Sequence, residues 1–444
     1  MDSDCHPDQS NEEEEELVEE HNEDPGIFLP VKPTDIYGTS KSQSITKSTS
    51  ACYTLLHEAV CKNQWKRAAE LLSCFVQTLE YQSTELLRRF AEVIWRAGNK
   101  ILLNHPESRP EDMNVFNETM KNISVKKYLQ ISLEQAFYQL CSGQKEEAYR
   151  TLSVSESWRF GSISVAQEKL LKLVQAYKGL LDYQSWLQRR PQGTDSEMDY
   201  ASRSSTSQDA NSFSRQASIA FQEILQFPGV WDPFVLSYVE LLESSGRADK
   251  AEVVLTEYAY NNKNPANPNA HVYLYEFKKR NGATCDALIK VLKVLHSLVP
   301  SHKLMLDYSK LLRKSELSEH QQLALQVVFD LLDYSGWKQN MKAWRCLANQ
   351  LKASLRCGQT SWVQESWTSR RDWWPSYHFT KFHVGKDWLN SEELAVKKAS
   401  VAIMLQGTAC FYFKRVYILG SSEQRMALDE VKELWRKSRR GNPS

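Results

Sequence analysis

PGVWDPFVLSYVELLESSGRADKAEVVLTEYAYNNK, residues 228–263, is the stretch that decides the fold of this 444-residue chain. Two runs of apolar residues at helical spacing flank a glycine turn, which predicts two helices joined as a hairpin. NPNAHVYLYEFKKRNGATCDALIKVLKVLHSLVP over 267–300 repeats that order, and SHKLMLDYSKLLRKSE over 301–316 begins another helix. Pro265 and Pro300 separate these segments, because proline lacks the amide hydrogen that a continuing helix needs.

The turns of these hairpins follow a spacing rule. A glycine or asparagine ends one helix, and an alanine follows five residues later: Gly246–Ala251, Gly282–Ala287, Gly143–Ala148 and Asn63–Ala68. The first residue can adopt a left-handed backbone, and the alanine lets two helices approach closely. Gly246 and Gly282 lie 36 residues apart, a period typical of tetratricopeptide repeats. We therefore predict an all-α fold of tetratricopeptide-like helical hairpins stacked into an array. A globular all-helical domain with coincidental hairpins is the alternative.

The charge of the chain is balanced overall but unevenly distributed. Lys plus Arg and Asp plus Glu both number 55, yet residues 1–24 hold twelve acidic residues and no Lys or Arg. The rest of the chain therefore carries a mild basic excess, which is too dilute to predict nucleic-acid binding by itself. Like-charged and polar residues dominate the N-terminus, so we expect 1–50 to be a disordered acidic and serine-rich tail.

The cysteine pattern and the apolar runs indicate a compartment. Nine cysteines occur singly and never as a CxxC pair, and the N-terminus is acidic where a secretory signal would be basic and then apolar. We therefore expect reduced thiols in the nucleus or cytosol. No apolar run approaches the roughly 18 residues of a membrane-spanning helix, so we expect no contact with a membrane.

Composition divides the rest of the chain into five parts. We predict an N-terminal helical repeat region over 51–189, a serine-rich flexible linker over 190–216 and a central helical repeat region over 217–358. Residues 359–420 combine a Trp-rich segment with a C-terminal helix, and 421–444 form a basic tail.

The Trp-rich segment, residues 361–388, holds five of the thirteen tryptophans. Two interpretations stay open. It is an irregular segment whose large rings cover the end of the helical stack, or it is a cluster of anchors of the residue types that dominate interface hot spots. The second interpretation names six candidate partner-binding residues: Arg370, Arg371, Trp373, Trp374, Tyr377 and Phe379.

The motifs of common catalytic centres are missing from the sequence. It contains no GxxxxGK[ST] phosphate loop, no GxGxxG after a strand, no GxSxG and no HExxH. Cys346, Cys357, His378 and His383 come nearest to a zinc-ligand set, but the gap between the cysteines is too long for a structural site. We therefore expect no catalytic residues, no bound metal, no cofactor and no enzymatic activity.

Five unbroken segments of the chain are long and unusual: KNISVKKYLQISLEQA (121–136), PGVWDPFVLSYVELLE (228–243), NPNAHVYLYEFKKR (267–280), VPSHKLMLDYSKLLRKSE (299–316) and RDWWPSYHF (371–379). They resemble one known family, the A subunit of the RNA polymerase I-specific TATA-box-binding-protein-associated factors. The similarity runs in order from about Ser50 to Tyr417, and the acidic tail, the serine-rich linker and the last residues match poorly.

The resemblance implies a non-catalytic scaffold component of the promoter selectivity complex, which assembles the preinitiation complex on ribosomal RNA gene promoters in the nucleus and nucleolus. The implied partners are the TATA-binding protein, the other RNA polymerase I-specific associated factors, the upstream binding factor and the RNA polymerase I machinery, with promoter DNA contacted mainly through the complex.

Two alternatives to that function stay open. One is a helical-repeat adaptor in another nuclear complex, and the other is a repeat protein that binds RNA or DNA directly. Direct binding needs basic residues at matching positions of successive repeats. Two such sets occur: Lys278, Lys279 and Arg280 at the end of one helix, and Lys310, Arg313 and Lys314 at the end of another.

Overall fold

A computed structural model describes residues 47–82, 84–159, 161–162, 164–189, 200–263, 265–315 and 317–440. Over these ranges every regular element is a helix, which confirms the predicted all-α fold. The chain divides into two compact units between Leu171 and Lys172. None of the described helices is both long enough and apolar enough to cross a membrane. The tail predicted over 1–50 lies outside the described residues, except that 47–50 already belong to the first helix.

The first unit consists of short helices that follow one another as hairpins. In chain order they are α1 (Lys47–Cys61), α2 (Trp65–Gln82), α3 (Thr84–Arg89), α4 (Ala91–Asn104), α5 (Pro110–Ile123), a 3-10 turn (Val125–Lys127), α6 (Tyr128–Cys141), α7 (Lys145–Glu156) and the start of α8 (Val165–Arg189). Tyr53, Phe75 and Trp95 are buried in its core. Trp95 keeps a polar partner there, because its Nε1 donates to Oδ1 of Asn117 at 3.0 Å.

The second unit contains the rest of α8 and the remaining helices. They are α9 (Tyr200–Ile224), α10 (Asp232–Ser244), α11 (Ala248–Tyr260), α12 (Pro268–Arg280), α13 (Cys285–Leu298), α14 (Met305–Lys314), α15 (Ser318–Leu332), a 3-10 turn (Ser335–Trp337), α16 (Met341–Arg356), α17 (Thr360–Thr368), α18 (Trp374–His378), α19 (Lys381–Asn390), α20 (Glu392–Gln406), α21 (Phe411–Leu419) and α22 (Ser422–Arg440). One continuous core extends from Val235 to Val431. The central repeats and the Trp-rich segment are therefore one packed body, without the expected division after residue 358.

The residues predicted to reverse the chain do adopt a left-handed backbone. The φ angles are 56° at Asn63, 78° at Gly143, 71° at Gly246 and 70° at Gly282. The alanine five residues later is fully buried in three of these four hairpins: Ala68, Ala148 and Ala251. The predicted stacking of tetratricopeptide-like hairpins is confirmed. Gly358, with a φ of 76°, makes a further turn that the pattern missed, because a buried Val363 follows it in place of alanine.

The serine-rich stretch is helical where the structure describes it. The prediction of a flexible linker is therefore wrong for residues 200–216, which belong to α9, whereas 190–199 lie outside the described residues. Serine costs a helix at most about 0.7 kcal/mol relative to alanine, and α9 contains no Gly or Pro. Ala210, Ala217 and Phe221 recur at helical spacing and are buried, so the packing of this face decides the conformation.

Two expectations at the C-terminal end are also wrong. The C-terminal helix expected within residues 359–420 is instead two helices, α20 and α21, divided at Gly407, where φ is 83°. The basic tail expected over 421–444 is folded as far as Arg440, because α22 has an apolar face. Leu428 and Val431 lie one turn apart on that face and are buried in the core.

Candidate partner-binding segment

The Trp-rich segment is built from three short helices, α17, α18 and α19, so the expectation of an irregular segment is wrong. Pro375 lies in the first turn of α18, where a missing amide hydrogen breaks no helical bond. The hydroxyl of Thr380 accepts from the amide of His383 and caps α19. The aromatic and charged side chains of the segment are therefore carried by a defined backbone.

Trp374 is the centre of a buried aromatic cluster. Its ring is fully enclosed, with its centroid 5.2 Å from that of Phe329, 6.0 Å from Trp344 and 4.8 Å from His378. Phe379 is 5% exposed and belongs to the same cluster. Tilted and edge-on contacts of this kind stabilise a core beyond the area they bury. Trp374 and Phe379 are therefore core residues.

Arg370 ties the segment to the end of α15. Its guanidinium donates from Nε to Oδ1 of Asp333 at 3.0 Å, and from Nη2 to Oδ2 of Asp333 at 2.7 Å and to Oδ1 of Asp330 at 2.6 Å. Asp333 also accepts from Nε1 of Trp374 at 2.7 Å. A planar fork that meets a carboxylate in this way is strong and geometrically specific. Only 7% of Arg370 is exposed, so this arginine is also part of the packed structure.

A second group of buried polar side chains joins α19, α20 and α21. The Lys398 ammonium and the Tyr412 hydroxyl each donate to Oδ2 of Asp387 at 2.8 Å. Burial lowers the pKa of Lys398, an effect that the charge of Asp387 opposes. Nε2 of the buried His378 donates to the carbonyl of Leu332 at 3.1 Å, and burial lowers the pKa of His378 to about 2. His378 is therefore a neutral core residue at physiological pH.

The other three predicted residues lie at the surface. Arg371 and Trp373 are exposed, and Tyr377 is half-buried. The Trp373 and Tyr377 rings pack edge-on with centroids 5.2 Å apart, and Nζ of Lys338 lies 3.3 Å from the centroid of the Tyr377 ring. The structure thus divides the six candidates. Packing accounts for Arg370, Trp374 and Phe379, while direct partner binding stays a prediction for Arg371, Trp373 and Tyr377.

The residues considered as zinc ligands do not form a metal centre. Within the described ranges, no group of three or more His, Cys, Asp or Glu side chains could hold a metal ion. Cys346 instead accepts from Nε2 of Gln350 at 3.3 Å. His378 has Leu332 as its partner, and His383 belongs to the cap of α19.

Two residues that hold the segment in place escaped sequence reasoning. Asp330 and Asp333 lie 37 to 41 positions before the Arg370 and Trp374 side chains that they bind. Their one local signal is that they end an apolar helical run, FDLLDY. The apolar face of α22 was also overlooked, because its many charges hide the spacing of Leu428 and Val431.

Each unit is built of helical hairpins, and half of the candidate site lies inside the core of the second unit, which defines a helical-repeat protein. The model of the family of TAF RNA Polymerase I, A subunit, matches residues 58–418. The chain belongs to this family, as the resemblance predicted.

Relatives and a solved structure give the extent of the similarity. The A subunit of the TATA box-binding protein-associated factor RNA polymerase I of Mus musculus is 45% identical over 391 residues, which cover 88% of this chain and 86% of that protein. The Homo sapiens protein of the same name is 44% identical over 394 residues, with 88% of each chain covered. The tetratricopeptide domain of P58(IPK) has 11% identity and a TM-score of 0.24, over 88% of this chain and 99% of that one. Family membership makes the chain a component of an RNA polymerase I transcription factor. It also implies that the protein is nuclear.

Proposed function

We propose that this protein is a non-catalytic scaffold component of the RNA polymerase I promoter selectivity complex. It helps to assemble the preinitiation complex on ribosomal RNA gene promoters in the nucleolus. The observation that carries the proposal is the 44–45% identity, over 88% of the chain, with proteins named as TATA box-binding protein-associated factors of RNA polymerase I. The proposed partners are the TATA-binding protein, the other associated factors, the upstream binding factor and the polymerase machinery.

The surface of the second unit supports a role in protein contact. Phe382 and Leu389 lie seven residues apart on α19, and they are 72% and 87% exposed. Phe411 and Ile418 have the same spacing on α21 and are 51% and 60% exposed. A spacing of seven places both members of a pair on one face of the helix. Exposed apolar faces of this kind mark protein-binding surfaces, and a scaffold needs several of them.

The alternative of direct nucleic-acid binding is weakened by the surroundings of the basic helix ends. Four of these six cations have carboxylate neighbours: Lys278 with Glu252, Lys279 with Asp307, Arg280 with Glu243, and Lys310 with Asp307. A stripe that binds phosphates gains affinity by releasing counterions from the nucleic acid, and local carboxylates reduce that gain. Promoter DNA is therefore proposed to be contacted mainly through the assembled complex.

Co-expression tests the proposal. The chain is produced with the TATA-binding protein and the other associated factors, with an affinity tag on this chain alone. We expect a stoichiometric complex that survives about 0.3–0.5 M salt, at which contacts made mainly to phosphates are largely lost. If the chain elutes alone and folded while the other factors assemble without it, the scaffold role is overturned and an adaptor in another complex is favoured.

Matched variants locate the contact. Leu389→Ser together with Ile418→Ser removes two exposed apolar side chains and should weaken the complex while the chain stays folded, since neither side chain is in the core. Val165→Ser is the control, because Val165 is 82% exposed on a different helix. Equal effects of the variant and the control would exclude the α19 and α21 faces as the docking surface.

A further inference from the structure

A groove on the second unit has not been assigned to any role. It encloses about 760 Å³ and lies among α16, α17, α20 and α22. Val363 and Met404 contribute to an aliphatic floor, and Trp367 and Trp435 stand among the lining residues.

The aromatic lining of the groove is fixed by the core beneath it. The Trp367 ring packs edge-on against the buried Trp374, with centroids 6.3 Å apart. Trp435 packs directly over Gly407, where an added Cβ atom would lie 2.8 Å from Cζ2 of the ring. Leu428 anchors α22, which carries Trp435, in the core. The groove is therefore preformed, and a ligand would not have to order its aromatic side chains.

The charge of the groove has one sign. Arg371 and Arg439 line it, and none of the lining residues that the structure describes is acidic. The Arg439 guanidinium lies 4.8 Å from the centroid of the Trp435 ring, which holds it beside the aromatic side chain. Nε of Arg371 lies 3.6 Å from Oδ1 of Asp372, but both side chains are more than half exposed. Exposed pairs of this kind contribute little, so Arg371 remains available to another carboxylate.

We propose that this groove binds an acidic amphipathic helix of a partner protein. The apolar side chains of that helix enter the aliphatic floor between Trp367 and Trp435, and its carboxylates pair with Arg371 and Arg439. Charge complementarity and buried tryptophan and arginine contacts are the features that give such helix-in-groove interfaces their affinity. A single nucleic-acid strand would match the arginines and the rings, but phosphates and bases gain little from the floor of Val363 and Met404. The proposal names a partner class for the proposed scaffold and rests on that function.

The test uses the whole chain and a synthetic probe. The probe is a fluorescein-labelled helical peptide of about 16 residues, or roughly four turns, with Leu and Phe on one face and Asp and Glu on the other. Fluorescence anisotropy should show saturable binding. Arg371→Glu with Arg439→Glu should weaken it about tenfold or more. Lys381→Glu with Lys386→Glu is the matched control, since both lysines are exposed on α19 and do not line the groove, and it should leave the affinity unchanged.

Changes in the probe test its chemistry. Replacing its Leu and Phe by Ser, or its carboxylates by amides, should each abolish binding. Circular dichroism of every variant checks the fold, and Thr368→Trp, which fills the groove from its rim, provides a second variant without a charge change. If neither the charge reversal nor the filled groove weakens binding, the groove is not the site.

Two other occupants would overturn the proposal. A fluorescein-labelled single-stranded oligonucleotide that binds more tightly than the peptide, with the same dependence on Arg371 and Arg439, would make the groove a nucleic-acid site. A variant with Gln at positions 12–16, in place of the five glutamates there, tests occupation by the chain itself. Tenfold tighter peptide binding by that variant would assign the groove to its own acidic segment. If the peptide does not bind but the complex assembles normally, the groove proposal is overturned and the scaffold function stands. If the complex does not assemble but the peptide binds normally, the scaffold function is overturned and the groove remains a peptide-binding site.

Discussion

The guanidinium of Arg370 and the carboxylate of Asp333 meet in a two-point interaction, with Nε to Oδ1 at 3.0 Å and Nη2 to Oδ2 at 2.7 Å. The arginine side chain is 9% exposed and the aspartate side chain 26%. The pair joins the Trp-rich segment to the helix that ends at Leu332. It therefore holds together two parts of the chain that composition alone would separate.

Removal of one member of this pair should destabilise the second unit. We expect Arg370→Ala to lower the free energy of unfolding by about 3 kcal/mol, because Asp330 and Asp333 lose the cation between them while they stay partly buried. Urea denaturation followed by tryptophan fluorescence measures the change. Arg371→Ala is the control, since that exposed side chain should change stability by no more than about 0.5 kcal/mol. Equal losses of stability for Arg370→Ala and Arg371→Ala would show that the pairing of Arg370 with Asp330 and Asp333 does not stabilise the fold.

The adjacent tryptophans should behave differently from each other. Trp374→Ala removes a fully buried ring and a hydrogen bond to Asp333, so we expect a loss of about 3–5 kcal/mol in thermal or urea denaturation. Trp373→Ala should leave the chain folded, because about a third of Trp373 is exposed. If Trp373 binds a partner, its variant should weaken the co-expressed complex. A stable Trp374→Ala protein would contradict the central place of that ring in the core.

A side chain at Gly407 should destabilise the second unit. An alanine there would meet the Trp435 ring at 2.8 Å and would have to adopt a φ of 83°, so we expect Gly407→Ala to cost about 1–3 kcal/mol. Gly336→Ala is the matched control, because an added Cβ atom at Gly336 has nothing within 4 Å and its φ is not left-handed. Denaturation midpoints compare the two. A neutral Gly407→Ala would mean that Trp435 moves freely, which would also weaken the argument for a preformed groove.

His378 should make folding sensitive to acid. Burial holds the pKa of the folded-state imidazole at about 2, whereas the unfolded-state pKa is about 6.5. Below pH ~6.5 the unfolded chain binds a proton that the folded chain excludes, so stability falls by about 1.4 kcal/mol per pH unit until the pH approaches the folded-state pKa. Above pH ~6.5 the imidazole is neutral in both states, so the full stability of the fold is present there.

The variant His378→Gln isolates this effect, because glutamine keeps a donor for the carbonyl of Leu332 but does not titrate. It should be less stable than the parent protein at pH 8, and the difference should narrow by about 2 kcal/mol at pH 5. His383, whose pKa burial also lowers, is present in both proteins and cancels. A difference that stays constant between pH 8 and pH 5 would show that His378 takes up a proton equally in the folded and unfolded states, so that burial does not lower its pKa.

The parts of the fold that sequence predicted are those set by local requirements. Gly143, Gly246 and Gly282 are visible in the sequence because a left-handed turn favours glycine, and the close approach of two helices favours a small residue five positions later. Gly358 was missed because its hairpin packs through Val363, which carries no such mark. The serine-rich α9 was missed because its helical state depends on packing that composition does not report.

The candidate site was predicted only in part for a related reason. Composition marked Trp373 and Trp374 equally, and no local pattern distinguishes two neighbours of the same type. Their environments differ because Asp333 and Phe329, far earlier in the chain, contact Trp374. Sequence reasoning without an alignment gives no access to such distant contacts, so it identified the segment but not which of its side chains stay at the surface.

The contacts of Asp333 with residues much later in the chain have a practical consequence for truncated forms of this protein. A fragment that ends at residue 358 would retain Asp333, Phe329 and Trp344 but would lose Arg370 and Trp374, which cover them. The end of this fragment would expose apolar rings and an unpaired carboxylate, and it would promote aggregation or non-specific binding. Interaction mapping with truncated chains should therefore keep residues 172–440 together and use point substitutions within them.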